Sequence, residues 1–200
     1  MKDVAKQKRL RRCALYGGAF DPVHRAHLQV ARYALEQAQL DRVVFIPAAQ
    51  SPLKAHAPLT DAAERLQMLS LALQGEARFE LDGSEIERGG LSYTIDTVRH
   101  FSAEHPDTEL YWIIGADQFE QLDRWHRIEE LIERVIFLVF ARPGSHLEAS
   151  ALIPKLRYQV IDAPLMTDSS SVIRQYCREG RSLEGLVPVA VQAFISEQEL

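Results

Sequence analysis

Two hundred residues, 46% apolar and 26% charged, make a chain long enough to bury a full core without disulfides or metal staples. That excludes a disordered protein, a disulfide mini-scaffold and a fibre, and the longest apolar run, residues 135–141, is far short of the roughly 20 residues of a membrane span. The total charge is −5, but residues 1–12 hold six Lys or Arg against one Asp, so residues 13–200 carry −10, too acidic for general nucleic-acid binding.

Residues 1–12 read as a basic, flexible leader ahead of a single domain over residues 13–200. No apolar stretch near the start suits a signal peptide. Cys13 and Cys177 read as free thiols of a reducing compartment, so the expected location is the cytoplasm.

Residues 13–16 predict a strand that ends in Gly17-Gly18. A helix over 24–39 follows, with Leu28, Val30, Ala31, Ala34, Leu35 and Ala38 at helical spacing. Residues 43–46 predict a second strand, closed by Pro47, and the three prolines of 47–59 predict a loop. Thr60 is the expected cap of a helix through Leu66, Met68, Leu69, Leu71 and Leu73. Residues 79–81 and 84–86 flank Asp82-Gly83 and predict a hairpin.

After Gly89-Gly90, a helix starts at Ser92 or Thr94 and ends before Pro106. Residues 110–114 predict a strand ending at Gly115, followed by a helical stretch through Trp125 to Ile132. The apolar run 135–141 suits a central parallel strand. A loop at Arg142-Pro143-Gly144, a strand over 158–161 and helices over 171–179 and 188–198 complete the chain, with Gly180 stopping the first of these helices. Strand-helix alternation throughout predicts a doubly wound, Rossmann-like α/β fold: a parallel sheet with helices on both faces. Ligands of such sheets sit beyond the carboxyl ends of the strands, at the switch point.

The first strand exit reads Gly17-Gly18-Ala19-Phe20-Asp21-Pro22-Val23-His24-Arg25-Ala26-His27. Its glycines admit a ligand close to the backbone, and the helix that follows offers unpaired N–H groups to phosphate. His24 and His27 fall on one face of the first turn, where imidazoles can meet developing negative charge. Taken alone, the pair reads better as two exposed histidines on the first helical turn. No third ligand lies near for zinc, and neither GxGxxG nor GxxxxGK[ST] occurs. Near the far end, Ser169-Ser170-Ser171-Val172-Ile173-Arg174 places hydroxyls at a helix start with a guanidinium one turn in.

The eleven-residue string resembles the GGxFDPxHxGH signature of the nucleotidyltransferases, and the serine string resembles their SxTxxR element. Over nearly its whole length the chain is similar to bacterial nicotinate-nucleotide adenylyltransferases. Phe45-Ile46-Pro47 through Ser51-Pro52-Leu53-Lys54 resembles their FIPxxxPPHK segment, and Ser92-Tyr93-Thr94-Ile95-Asp96-Thr97 their SYTxxT segment. Ile114-Gly115-Ala116-Asp117, with Leu122 and Trp125, resembles IGxD…L…W, and Phe137 through Arg142-Pro143-Gly144 fits the strand and RPG turn that follow.

The resemblance implies adenylyl transfer from ATP to nicotinate mononucleotide, giving deamido-NAD and pyrophosphate. It assigns catalysis to His24, His27, Lys54 and Arg174. Gly17, Gly18, Ala19, Phe20, Gly115, Asp117, Ser169, Ser171 and Arg142 would bind ATP, with Asp117 on a ribose hydroxyl. Thr94, Tyr93 and Trp125 would bind the acceptor, with Thr94 on its carboxylate and Trp125 stacked on its pyridine ring. Magnesium (Mg2+) would ride on substrate phosphates and water. The expected partners are these small molecules, not nucleic acid or membrane, with the chain a monomer or homodimer. Three positions depart from the pattern: Ala26 for Gly, Leu53 for His, Ser171 for Thr. Alternatives are another enzyme of the superfamily, such as a phosphopantetheine adenylyltransferase, or a nucleotide-binding domain without turnover.

Overall fold

The computed structural model describes residues 10–53, 56–140, 155–164 and 168–199. Their centre is one six-stranded parallel sheet in the order β3-β2-β1-β4-β5-β6. The strands are β1 (Arg11–Gly18), β2 (Arg42–Pro47), β3 (Phe79–Leu81), β4 (Thr108–Gly115), β5 (Val135–Phe140) and β6 (Tyr158–Ile161). Between and after them run α1 (Arg25–Gln37), α2 (Ala62–Leu73), α3 (Ser84–Arg88), α4 (Thr94–Glu104), α5 (Ala116–Phe119), α6 (Ile128–Arg134), α7 (Ser170–Arg178) and α8 (Val189–Glu197).

Alternate residues of the central strands feed two cores. Ala14, Val43, Phe45, Tyr111, Ile113 and Leu138 pack under α1, α2, α7 and α8. Cys13, Leu15, Val44, Ile46, Trp112 and Val139 pack under α4 and α6 on the other face. Burial on both faces is why these strands read as continuous apolar runs. This is a doubly wound α/β fold, and its strand order reverses between β1 and β4, which opens a crevice at their carboxyl ends. Among the described residues no helix is long and apolar enough to cross a membrane.

Three local expectations are corrected. β1 begins at Arg11, so the sheet takes in Arg11 and Arg12, which the sequence alone assigns to the leader; they pair with Thr108 and Glu109 of β4. Asp61, not Thr60, caps α2: its carboxylate accepts the Ala63 N–H while Glu64 accepts the Asp61 N–H. The expected hairpin is absent. β3 pairs parallel to β2, and Asp82 turns the chain into α3 by accepting the Ser84 N–H at 2.8 Å.

Candidate active site

At the exit of β1, a Cβ on Gly17 would stand 2.7 Å from Cζ2 of Trp112 on β4. A Cβ on Gly115 at the exit of β4 would stand 2.6 Å from Oδ1 of Asp117, whose carboxylate curls back over the strand end. The two glycines therefore leave room for the Trp112 ring beside the β1 exit and for the Asp117 carboxylate at the β4 exit.

The chain from Ala19 to His24 is tightly held. Phe20 takes a left-handed backbone (φ 47°) and Asp21-Pro22 is a cis peptide. Asp21 is buried; its Oδ2 accepts the Leu59 N–H at 2.8 Å and its Oδ1 has no hydrogen-bond partner among the described residues. Arg65 of α2, only 2% exposed, donates from Nη1 to the carbonyls of Ala19 (2.9 Å) and Ala48 (2.8 Å).

His24 caps α1 and its backbone N–H donates to Nδ1 of His27 at 3.2 Å. Neutral His27 therefore carries its proton on Nε2. The two rings stack with centroids 3.7 Å apart, and His27 lies against the ring of Phe20 at 5.0 Å. Neither histidine sits on the exposed turn expected from the sequence: His24 is buried and His27 half-buried, because the loop wraps them with Phe20. Burial pulls His24 down to about 4, so its imidazole is neutral near pH 7.

The sign of the resulting pH dependence follows. An unfolded histidine binds a proton below about 6.5, whereas folded His24 does not until about 4, so stability falls as pH drops through that window. The loss from this group is on the order of 3 kcal/mol. Urea unfolding from pH 7 to pH 4 checks it: His24→Gln is expected to show a shallower decline than the parent.

The serine string docks on this loop from 148 residues away. Ser170 Oγ donates to the Pro22 carbonyl at 3.0 Å, and Arg174 donates from Nη1 to the Asp21 carbonyl at 2.5 Å. Arg174 Nη2 also donates to Ser171 Oγ at 3.3 Å, and Ser169 Oγ accepts the Val172 N–H at the start of α7. Ser170 was not singled out in the sequence, because the pattern marks only its neighbours.

The second cluster lies at the start of α4, where Tyr93 is the cap residue, its side chain making no cap hydrogen bond, and Thr94 is the first helical residue. The Tyr93 ring sits 4.5 Å from that of His126. The neighbouring Trp125 is half-buried, edge-on to Phe137 at 6.3 Å, and its indole N–H has no partner among the described residues. His126 carries no sequence signal; the 3-10 turn at Leu122–Arg124 and left-handed Arg127 present it. Lys54 and Arg142 lie outside the described residues.

Ala26 is in α1 and only 7% exposed. A helical residue needs no positive φ, so alanine fits without strain. Ala26→Gly is expected to change kcat/KM by less than about tenfold while lowering thermal stability slightly. Steady-state kinetics with a thermal melt check both parts.

The sequence profile of the cytidylyltransferase-like family matches residues 15–176. A probable nicotinate-nucleotide adenylyltransferase of Geobacillus kaustophilus is 44% identical over 188 residues, 93% of this chain and 84% of that protein. Its counterpart in Opitutus terrae is 42% identical over 184 residues, 92% of this chain and 94% of that one. This chain belongs to the nicotinate-nucleotide adenylyltransferase family. It is accordingly a nucleotidyltransferase of NAD biosynthesis. The fold agrees: the Plasmodium falciparum nicotinic acid mononucleotide adenylyltransferase complexed with NaAD superposes with a TM-score of 0.78 at 20% identity, over 95% of this chain and 97% of that one.

Proposed function

We propose that the crevice between β1 and β4 transfers the adenylyl group of ATP to nicotinate mononucleotide, releasing deamido-NAD and pyrophosphate. The observation that carries this reading is the docking of Ser170 and Arg174 onto Pro22 and Asp21, which joins two phosphate-suited motifs at one strand exit.

A phosphate oxygen of nicotinate mononucleotide attacks the α-phosphorus of ATP. The bond from that phosphorus to the bridging oxygen breaks, and pyrophosphate leaves with the electron pair. No enzyme nucleophile is required, so the chain's work is alignment and charge neutralisation. Neutral His24 and His27 with its Nε2 proton meet the α-phosphate. Arg174 and Lys54 serve the β- and γ-phosphates, with the α7 start at Ser169 and Ser171 beside them. Gly17, Gly18, Ala19 and Phe20 form the floor under ATP, Gly115 and Asp117 face its ribose, and Arg142 adds charge.

The acceptor lies at the other cluster. Thr94 and the first amides of α4 suit an anion, which gains from N–H donors and the helix dipole. Tyr93 borders that subsite and Trp125 takes the pyridine ring. Among the described residues no three His, Cys, Asp or Glu side chains converge on a metal position. Magnesium would enter with the ATP phosphates, where it would neutralise charge on the departing pyrophosphate.

A pyrophosphate-release assay tests the assignment. Nicotinate mononucleotide is expected to give a higher kcat/KM than nicotinamide mononucleotide, because a carboxamide forfeits the charge at the α4 start. Equal values for the two would remove the acceptor assignment.

A further inference from the structure

Glu85 is the one glutamate among the buried polar residues, 3% exposed on the five-residue α3, and it makes no ion pair closer than 4 Å among the described residues. A lone surface-type carboxylate at such depth has a reason for being there. Its hydrogen-bond partner is a hydroxyl. Thr97 Oγ1, itself 1% exposed in α4, donates to Glu85 Oε1. Ser92, 9% exposed in the loop before α4, places a second hydroxyl beside the carboxyl. Burial pushes the carboxyl up, and these two hydroxyls with the charge of Arg88 pull it back, while Asp82 opposes them.

The Ser92 hydroxyl looks both ways. Its Oγ accepts the Ala49 N–H at 3.0 Å, on the loop leaving β2. The Ser92 backbone N–H donates to the Gln50 carbonyl at 2.8 Å, and Gln50 bridges Leu91. Tyr93 and Thr94 lie between the two hydroxyl residues, so their backbone segment is held at both ends: Ser92 is tied to Ala49 and Gln50 at the β2 exit, and Thr97 to the Glu85 carboxylate.

We propose that Glu85 is a positioning residue for the acceptor: it fixes the start of α4 so that the amides and side chains at Tyr93 and Thr94 meet the pyridine carboxylate. This rests on the acceptor reading above. Glu85 touches no substrate and supplies no proton. Its side-chain hydrogen bond goes to α4, away from the Ser170 and Arg174 docking that serves ATP, so the effect falls on one substrate.

The test is steady-state kinetics on the full chain with ATP and nicotinate mononucleotide, reading pyrophosphate. Glu85→Gln keeps the volume but replaces the charged acceptor of the Thr97 hydroxyl by a weaker amide oxygen and puts an N–H2 in place of the other carboxylate oxygen. It is expected to raise KM for nicotinate mononucleotide about tenfold or more, with KM for ATP within about twofold. Glu85→Asp, which restores the carboxylate, should recover part of the loss. Thr97→Val removes one hydroxyl at equal shape and carries the test should Glu85→Gln fail to fold; about a threefold rise in the same KM is expected. An unchanged acceptor KM in the folded variants, or equal rises in both KM values, overturns the proposal. Those outcomes presuppose an active parent; a parent silent with nicotinate mononucleotide overturns the acceptor reading itself, and this inference with it.

Discussion

Replacing His27 with alanine is expected to lower kcat about a hundredfold or more, the scale on which one preorganised donor to a developing phosphate charge contributes. The geometry makes the loss larger than that of a free surface imidazole. The His24 N–H holds Nδ1, so the proton of neutral His27 is fixed on Nε2 before substrate arrives. The ring is also the stacking partner of buried His24 at 3.7 Å. Alanine deletes the donor, orphans the His24 amide and frees the second imidazole to move. Most of the effect belongs in kcat, because the charge it meets develops in the transition state. Single-turnover rates together with a melting curve check this. A folded His27→Ala protein with near-parent kcat would remove the histidines from catalysis.

The fold was legible because both of its signals are local. Apolar runs bounded by Gly or Pro marked the strands, and helical spacing marked α1 and α2. What failed depended on distant partners. Asp82-Gly83 suits a hairpin turn and a helix start equally; the parallel pairing of Val43 with Phe79 decides between them. Arg11 and Arg12 look like a solvated run because nothing nearby reveals that β4 supplies their pairing. The Asp61-x-x-Glu64 capping box was readable, and the adjacent Thr60 obscured it.

The candidate site divides in the same way. Its motif residues stood out as strings, but the groups that hold those strings did not. Glu85 and Arg65 look like ordinary polar positions of helices. Their burial follows from loops that converge only in the folded chain. Ser170 hides inside a motif that names its neighbours. His126 sits in a 3-10 turn with no periodicity to place it.

Replacing Arg65 with methionine is expected to destabilise the protein by about 3 kcal/mol and lower Tm by roughly 6–12 °C. Two opposing effects have to be weighed. Exchanging a buried charge for an apolar side chain of similar size is often neutral or favourable when the whole polar group goes. Here only the donor goes. The buried Ala48 carbonyl and the half-buried Ala19 carbonyl lose their 2.8 Å and 2.9 Å contacts, at roughly 1–3 kcal/mol each, with Ala48 towards the upper end. The guanidinium's charge also faces Asp21 and Asp61. Burial pulls Arg65 down, yet an arginine starts so high that it remains charged near neutral pH. One nitrogen therefore ties the exits of β1 and β2 together, just beyond the paired Gly18 and Pro47. Loosening that tie displaces the loop that carries His24, so activity should fall together with stability. Arg65→Lys keeps a charged donor and should fall between parent and methionine variant in both. A methionine variant melting within about 2 °C of the parent would mean that the apolar gain had offset both lost contacts, and that Arg65 fills space without holding the loop.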